Sequence, residues 1–425
     1  MSGEPKTITL REYEKFAYDR IGEKGVRRLE RAANVTGARV FDFHLDHARA
    51  RQYVGVVKSE QHTVQILPKV HDQQKDSLGY LLSLLHYTRK LRIHPGDVTG
   101  FDKLGGSFLE VWIRHFATEL NRLLRTQYKQ RYVEIEERSS FLRGKLLTER
   151  ELNGKATIHA RYACRYEIFT PDHLLNRTLK FCNHLLLSQT RSPVSRRTLR
   201  ENDILLIDVT YKPVRPEELD RITFDRLNRS YEPILDLCRL LLANSTLDLR
   251  AGRISQLAIV FDMDKLFEEF VAEFLRHHAD EITVGEGSKL RSAVPKKSIG
   301  RLFGELRMAP DLALTDVDGG KILLDTKNKD LPVGGTPARE DLYQMYAYGT
   351  AGEDAYAGII LLYPMAGSHF RGSSLRHGDL RLHTRSFDLK VIYDPANRRV
   401  DRDAVVDELN RALSFAGSVV LSVSS

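Results

Sequence analysis

The chain has 425 residues, of which 42% are hydrophobic and 29% charged, and its formal net charge is +8. This length and apolar content predict two or three domains with real cores, and they exclude intrinsic disorder, collagen and a disulfide-stapled miniprotein. Every apolar run is far shorter than the ~18 residues of a membrane span, and Met1–Leu10 lacks the apolar segment of a signal peptide. Three widely spaced cysteines complete the expectation of a cytoplasmic protein without membrane association.

The charge is unevenly distributed along the chain. The residues before 246 carry a net charge of +11, and those from 246 onward carry −3. A basic surface is typical of proteins that bind nucleic acid or an acidic protein partner. An acidic balance in the second half suits a carboxylate site that needs metal ions. Charge alone decides neither point.

Residues 1–245 are predicted to form an N-terminal α+β region. Its first part, about 1–75, is small and β-rich, with strands at Tyr53–Val57 and Thr63–Leu67 around a polar turn, and Pro68 ends the second strand. Its second part, about 76–245, is mostly helical. Ser107 and Glu110 have the spacing of a capping box at the start of one helix.

Further elements of this second part follow from apolar spacing. Helices are predicted around Leu174–Leu187 and Ile234–Leu242, and Phe141–Leu146 and Ala156–Tyr166 resemble strands. The polar stretch Asn244–Arg253 marks the boundary to a second domain, residues 246–425.

The second domain has an informative order of elements: helix, hairpin, helix, strand. The turn of the hairpin is the Asp- and Gly-rich stretch Asp316–Gly320. The predicted elements are a helix at Asp264–His277, strands at Asp311–Leu314 and Lys321–Lys327, a helix from Arg339 to about Gly349, and a buried strand at Gly358–Tyr363.

Two carboxylates and a lysine are predicted to converge on this hairpin. Asp325 and Lys327 are two residues apart on a strand, so their side chains leave the same face. The hairpin brings Asp311 beside Asp325, and Glu268 lies at the edge of the apolar stripe of the preceding helix. Carboxylates that hold Mg²⁺ and an ammonium that orients or helps to deprotonate water are the chemistry of phosphodiester hydrolysis. Asp311 and Asp325 are therefore the predicted metal ligands, with Glu268 as a weaker contributor.

Several nearby residues allow two interpretations. Gln344 and Tyr348, four apart on the following helix, either contact the site or DNA, or are packing residues of an amphipathic helix. Lys296 and Lys297, in the basic loop 289–301, either hold phosphates or are merely solvated. His277 and His278 end a helix, where complementing the helix dipole is a better explanation than metal binding.

Residues 262–363 resemble the PD-(D/E)xK nuclease fold, in which Pro310–Asp311 and Asp325–Lys327 are the two signature pieces. The whole chain resembles the McrC family, the nuclease subunits of McrBC modification-dependent restriction systems. The family often has Asn where this chain has Asp264. The motifs that carry the resemblance are Gln65–Lys69, Leu142–Lys145, Pro171–Asn176, Tyr231–Leu242, Phe261–Glu268 and Asp341–Tyr348.

The resemblance implies a fold, an activity and partners. It implies an N-terminal partner-binding region followed by a restriction-endonuclease-like domain of helix, mixed sheet and helix. It implies Mg²⁺-dependent cleavage of double-stranded DNA with modified cytosine, in complex with a hexameric AAA+ GTPase of the McrB type that the N-terminal region stimulates. It also implies a contact between two copies through their nuclease domains.

The sequence assigns the nucleotide to the partner. No GxxxxGK[ST] motif occurs, so this chain is not expected to bind GTP. Arg143, Lys145, Asp172 and Asn176 lie in family motifs and are candidate partner contacts, although Asp172, after Pro171, also suits the start of a helix.

An alternative function belongs to a different class. In it, the chain is a non-catalytic adaptor that binds and activates the AAA+ ring, and the nuclease fold serves dimerisation or DNA holding. The intact set of Asp311, Asp325 and Lys327 favours the nuclease, because an adaptor has no need of it.

Overall fold

The structure is a computed structural model that describes residues 6–59, 62–91, 107–149, 161–226, 228–248, 253–296, 298–302, 306–327, 337–351, 356–365, 372–377, 380–397, 399–415 and 419–422. It has a mixed α+β architecture with several sheets. The α-helices in these ranges are α1 (Gly22–Asn34), α2 (Gln74–Tyr87), α3 (Phe108–Gln127), α4 (Leu174–Gln189), α5 (Pro193–Leu205), α6 (Glu232–Ala243), α7 (Met263–His277), α8 (Arg339–Ala351) and α9 (Arg402–Leu413).

The strands are short and distributed over the whole chain. They are β1 (Lys6–Arg11), β2 (Lys15–Ala17), β3 (Phe41–Phe43), β4 (His47–Ala50), β5 (Tyr53–Lys58), β6 (His62–Leu67), β7 (Arg131–Ser139), β8 (Lys145–Leu146), β9 (Tyr162–Thr170), β10 (Ser245–Asp248), β11 (Arg253–Asp262), β12 (Thr283–Val284), β13 (Ser288–Pro295), β14 (Gly300–Leu302), β15 (Leu306–Met308), β16 (Leu312–Asp316), β17 (Lys321–Thr326), β18 (Gly358–Met365), β19 (Ser373–His377), β20 (Leu380–Asp388), β21 (Tyr393–Asp394), β22 (Arg399–Val400) and β23 (Val419–Ser422).

A five-stranded front sheet has the order β1-β6-β5-β11-β10. The two predicted strands are confirmed as β5 and β6, and they pair antiparallel. Strand β11 pairs antiparallel with β5, although β11 lies beyond the predicted domain boundary at residue 246. The front sheet therefore includes residues that the charge and composition patterns assign to the second domain.

The seam between β5 and β11 is unusually close at Gly55. A Cβ on this residue would lie 2.1 Å from the backbone oxygen of Ile259, and its φ is +132°. Only glycine fits both the contact and the backbone conformation. Strand β11 then leads directly into α7, whose N-cap Asp262 accepts a hydrogen bond from the Asp264 backbone N–H at 3.1 Å.

An eight-stranded rear sheet has the order β12-β13-β16-β17-β18-β20-β19-β23. Strands β16 and β17 form the antiparallel hairpin, and β17 pairs in parallel with β18. Helix α8 supplies the crossover between these two parallel strands, as a parallel pair requires. The predicted order of helix, hairpin, helix and strand is confirmed as α7, β16–β17, α8 and β18.

One hydrophobic core contains side chains of helices α2, α3, α4, α6 and α7 and of the rear sheet. Helix α3 buries one face fully, with Phe108, Trp112 and Phe116 all at 0% exposure. The same core includes Phe270 of α7 and Leu324 of β17. Burial of large aromatic side chains contributes roughly 2 kcal/mol or more each, so the two predicted domains stabilise each other.

The capping box of α3 is half formed. The Ser107 side chain accepts a hydrogen bond from the Glu110 backbone N–H at 3.4 Å, as predicted. The Glu110 carboxylate, however, accepts from the Thr190 hydroxyl at 2.7 Å and from the Arg191 N–H at 2.6 Å. The Glu110 side chain therefore bonds the connection between α4 and α5 and does not bond the backbone N–H of Ser107, as a full capping box would require.

A three-stranded sheet, β7-β9-β8, lies largely exposed within the region predicted to be mostly helical. The predicted strand Phe141–Leu146 is wrong over its first four residues, because Gly144 forms a turn at φ +62° and only Lys145–Leu146 pair. The predicted strand Ala156–Tyr166 corresponds to β9, which begins at Tyr162, and residues 156–160 lie outside the described ranges. We call β7, β8 and β9 the exposed sheet.

The helices α4, α6 and α7 match the predicted ones within a few residues. None of the helices in the described ranges is both long and apolar enough to cross a bilayer.

Candidate active site

The β16–β17 hairpin brings two aspartates together. Asp311 immediately precedes β16, and the register pairs Leu312 with Leu324, which positions Asp311 next to Asp325 on β17. Thr326 holds Asp311 in place: its backbone N–H and its hydroxyl donate to Asp311 Oδ2 at 2.7 and 2.8 Å. The sequence prediction that the hairpin joins the two carboxylates thus agrees with the geometry.

Asp325 and Lys327 form a close ion pair on one face of this strand end. Asp325 Oδ2 lies 2.6 Å from Lys327 Nζ, and the two side chains are 3% and 19% exposed. Burial, and then the charge of Asp311, raise the pKa of Asp325 to about 6, although Lys327 opposes the shift. Burial lowers the pKa of Lys327, but the charge and hydrogen bond of Asp325, together with the charges of Asp341 and Asp311, outweigh it, and the net pKa is above its usual value.

Glu268 of α7 approaches the same site and has a lysine partner. Its Oε1 lies 3.1 Å from Lys296 Nζ. Burial, and then the charge of Asp311, raise the pKa of Glu268, whereas Lys296 lowers it. Lys296 has a left-handed backbone with φ +47°, and its N–H donates to the Asp311 carbonyl oxygen at 2.9 Å. Lys297 lies outside the described residues.

Gln344 and Tyr348 of α8 complete a hydrogen-bonded chain behind the lysine. Lys327 Nζ donates to Gln344 Oε1 at 2.9 Å, and Gln344 Nε2 donates to the Tyr348 hydroxyl at 2.8 Å. The Tyr348 hydroxyl in turn donates to the Ala309 carbonyl oxygen at 3.3 Å. Gln344 thus contacts Lys327 directly, whereas Tyr348, which is 8% exposed, bonds Gln344 and also packs in a hydrophobic cluster, so both interpretations describe part of the geometry.

Asp341 is a member of this group that the sequence analysis did not single out. It is 4% exposed, it accepts a hydrogen bond from the Tyr363 hydroxyl at 3.1 Å, and its charge contributes to the raised pKa of Lys327. In the sequence it resembles an ordinary acidic residue of a first helical turn. Its spacing of three residues from Gln344, which places both on one helix face, was the signal available.

The remaining candidates lie elsewhere. Asp172 pairs with Arg177 at 2.7 Å and accepts from the Thr210 hydroxyl at 2.7 Å, and the Arg177 guanidinium holds the pKa of Asp172 well below its usual range. Asn176 has 0% exposure and donates to the Lys129 and Pro171 carbonyl oxygens, so it has no surface to offer a partner. These two residues fix the start of α4, as the alternative interpretation of Asp172 proposed.

Arg143 and Lys145 are exposed on the exposed sheet. The Arg143 guanidinium lies 5.9 Å from the centroid of the Tyr166 ring. Around them, Phe141 is 70% exposed and Leu142 59% exposed. Apolar side chains of this size at the surface mark interaction sites when they cluster.

Within the described ranges, no three His, Cys, Asp or Glu side chains are grouped as a ready-made metal site. The histidines at the end of α7 are engaged locally: His277 Nδ1 is 2.7 Å from the Glu273 carbonyl oxygen, and His278 Nδ1 is 3.0 Å from Glu281 Oε1. The carboxylate site is therefore a pair, Asp311 and Asp325, with Glu268 beside it and held by Lys296.

The fold and this site define a multidomain α+β protein that carries a buried carboxylate–lysine pair at the C-terminal end of an interior strand of a mixed sheet. The chain belongs to the family of McrBC 5-methylcytosine restriction system components, whose sequence profile matches residues 48–364. The family resemblance inferred from the sequence motifs is confirmed. No curated protein sequence matches the chain significantly.

The solved structures that are similar to the chain include two McrBC assemblies. One is a refined half-complex from the tetradecameric assembly of Thermococcus gammatolerans McrB AAA+ hexamers with bound McrC, with 21% identity, a TM-score of 0.73, and coverage of 96% of this chain and 100% of the other. The second is the cryo-EM structure of the Thermococcus gammatolerans McrBC complex, with 25% identity, a TM-score of 0.52, and coverage of 64% of this chain and 87% of the other. At these identities the likeness establishes the fold.

Proposed function

We propose that this chain is the endonuclease subunit of an McrBC-type restriction complex. Its substrate is double-stranded DNA with modified cytosine, and its rear domain is a PD-(D/E)xK nuclease. The observation that carries the proposal is the buried Asp325–Lys327 pair, 2.6 Å apart, with Asp311 beside it on one hairpin. Burying a carboxylate next to a second carboxylate costs stability, and such unfavourable arrangements occur mostly at functional sites.

The two aspartates fit a hard divalent cation such as Mg²⁺. Asp325 Oδ2 is buried and, within the described residues, accepts no hydrogen bond of normal geometry; its close neighbour is the Lys327 ammonium. Mg²⁺ takes oxygen ligands and keeps several waters, so two protein carboxylates suffice and a three-residue cluster is not required. Asp311 and Asp325 would hold the ion, with Glu268 as a further contributor. A bound Mg²⁺ neutralises charge on a scissile phosphate and lowers the pKa of water.

The hydrogen bonds around Lys327 indicate its role in the site. Gln344, itself held by Tyr348, accepts one of the Lys327 ammonium hydrogens and so fixes the direction of the side chain. A fixed ammonium donates hydrogen bonds to a phosphate oxygen or to the attacking water. Lys296 is paired with Glu268 and 63% exposed, and we expect it to lie near a DNA phosphate when DNA is bound.

The partner is proposed to be a hexameric AAA+ GTPase of the McrB type, which supplies the GTP site. The similar Thermococcus gammatolerans assembly contains McrB AAA+ hexamers with bound McrC. In this chain, the exposed sheet with Phe141, Leu142, Arg143 and Lys145 has the surface expected of a partner-binding element, and we assign GTPase stimulation to it. This division of labour also accommodates contact between two copies through their rear domains.

A cleavage assay tests the nuclease. DNA with and without 5-methylcytosine is incubated with the full chain and Mg²⁺, with and without the cognate GTPase and GTP. Asp325→Asn should reduce cleavage roughly a thousandfold or more, which corresponds to about 4 kcal/mol of lost transition-state stabilisation. Asp318→Asn, the same change in the turn of the same hairpin, is the matched control and should cut normally. Native cleavage by Asp325→Asn would reject the site, and GTPase stimulation without any cleavage by the native chain would favour the adaptor.

A further inference from the structure

An open cleft of about 990 Å³ lies beside the C-terminal end of α7, away from the carboxylate site. It is bordered by the C-terminal ends of α2 and α7, by one side of α3 and by the start of α6. Glu268 and His277, nine positions apart on α7, are separated by about 14 Å along the axis and by half a turn around it. The cleft is therefore a different place from the proposed nuclease site, with α7 as the wall between them.

The cleft is basic, and part of its positive charge is uncompensated. Its two acidic lining residues are neutralised by arginines: Glu119 Oε1 lies 2.6 Å from Arg122, and Asp236 Oδ1 lies 3.0 Å from Arg239. Within the described residues, the guanidinium groups of Arg89 and Arg229 have neither a hydrogen bond nor an ion pair. Four histidines also line the cleft and add hydrogen-bond donors.

Arg89 occupies a backbone position that normally selects glycine. It follows the C-terminus of α2 with φ +58°, and its N–H donates to the His86 carbonyl oxygen at 3.0 Å. A non-glycine residue in this left-handed conformation costs about 1 kcal/mol, and glycine is the usual residue there. Arg89 nevertheless occupies this position, and its exposed side chain lines the cleft.

We propose that this cleft binds the sugar–phosphate backbone of a DNA strand, with Arg89 and Arg229 as its phosphate contacts. The inference rests on the proposed function, which supplies DNA to this chain. A guanidinium presents paired N–H donors that match phosphate oxygens. The partly exposed side chains of Tyr87 and Pro233 give the cleft an apolar surface that suits the sugars and the base faces, and the buried Ile234 and Leu237 lie beneath it.

The test uses two charge-removing double variants of the full chain. Arg89→Gly/Arg229→Ala removes both proposed contacts, and the glycine relieves the backbone strain, so this variant should fold at least as stably as the native chain. Arg27→Ala/Arg31→Ala removes the same charge from the exposed side of α1 and is the control. Binding of a labelled DNA duplex is measured by fluorescence anisotropy in EDTA from 50 to 300 mM salt, so that no cleavage intervenes.

The cleft variant is expected to bind DNA about tenfold more weakly near 150 mM salt. It should also reduce the slope of log K against log salt by about 2, because two phosphate contacts are lost. The control should retain the native slope. A cleft variant with the native slope and affinity overturns the proposal, as does a variant that binds DNA normally but loses the GTPase partner, which would assign the cleft to an acidic protein.

Failure of the inference is distinguishable from failure of the proposed function. If the native chain cleaves DNA and the cleft variant matches the control in binding, the cleft proposal alone is wrong. If the native chain neither binds nor cleaves DNA under any of these conditions, the proposed function is wrong and the cleft proposal with it.

Discussion

The buried pair of Asp325 and Lys327 has consequences for stability as well as for chemistry. Each partner is the main charge that compensates the other, and Asp325 is almost fully buried. Removing one partner of such a pair costs more than removing both, because the remaining charge is left without compensation.

Lys327→Met should therefore abolish cleavage and also destabilise the chain by about 3 kcal/mol. Adding Asp325→Asn to it should recover most of that loss without restoring cleavage. Urea unfolding of the native chain, both single variants and the double variant measures the coupling. Additive losses, with the double variant destabilised by the sum of the two single-variant losses, would mean that the ion pair contributes nothing to folding.

A second buried carboxyl group, Glu12, lies far along the chain from this pair and gives a pH-dependent prediction. It is 6% exposed, and its Oε2 accepts the Lys69 N–H at 3.2 Å. Burial raises the pKa of Glu12 to about 8, with Asp264 and Asp262 adding to the shift and Lys69 opposing it. In the folded chain the group thus keeps its proton over a range in which the unfolded chain has lost it.

Since the folded pKa is raised, the stability due to Glu12 is largest at low pH and is lost as the pH rises from about 4.5 to about 8. Glu12→Gln should therefore melt close to the native chain near pH 5 and clearly above it near pH 8, with a difference growing by up to about 1.4 kcal/mol per pH unit. Thermal melts at both pH values check this. The exposed Glu30→Gln is the control and should show no such trend.

At the scale of elements, the exposed sheet is the part of the chain that we propose to bind the partner. Cross-strand rings such as Tyr132 and Phe169, 5.1 Å apart, are 65% and 59% exposed, so they do not contribute to the core. Exposing these two rings to water is unfavourable, and a second protein that covers them would remove that cost.

Arg143→Ala/Lys145→Ala should reduce stimulation of the partner GTPase by tenfold or more, roughly 1.4 kcal/mol, while leaving the melting temperature unchanged. Steady-state GTP hydrolysis over a range of chain concentrations gives the measurement. The matched control is Arg197→Ala/Arg200→Ala on α5, which removes two exposed charges from another surface. Loss of stimulation by both variants alike would indicate a general charge effect.

The elements differ in how far the sequence predicts them. The hairpin, α7, α8 and β18 follow from apolar periodicity and turn residues, and their order predicts that Asp311, Asp325 and Lys327 meet. The exposed sheet was harder to predict, because strands that face solvent on both sides lack the alternating apolar pattern. The roles of Asp341 and of the buried Glu110 carboxylate, which bonds Thr190 and Arg191, were not predictable, because both depend on contacts between distant segments.

At the scale of the whole molecule, the front and rear regions are not separable at residue 245. The charge pattern changes there, but β11 completes the front sheet, and Tyr87 of α2 contacts Phe270 and Phe274 of α7 with ring centroids 5.1 and 5.6 Å apart. The distribution of charge describes the surface of the chain, and it does not show that the two regions share one hydrophobic core.

A fragment of residues 1–245 should therefore be unstable, with a broad or absent melting transition by circular dichroism. A fragment that extends through Asp262 should recover β11 and melt at a higher temperature, although it still lacks α7. The division of labour is then better tested in the full chain, where Asp325→Asn should stimulate the GTPase fully without cutting DNA. A cooperative melt of residues 1–245 at the native temperature would show that the shared core is dispensable.

The close contact between β5 and β11 at Gly55 limits which substitutions this position can accept. Because the carbonyl oxygen of Ile259 occupies the volume of a Cβ, any other residue at position 55 must widen the spacing between β5 and β11. Strand β11 runs straight into α7, so widening would shift the helix that carries Glu268 against the front region. Homologues that keep this arrangement should therefore tolerate exchanges among branched residues at Val54 and Val56, while position 55 admits no substitution without compensating changes on β11.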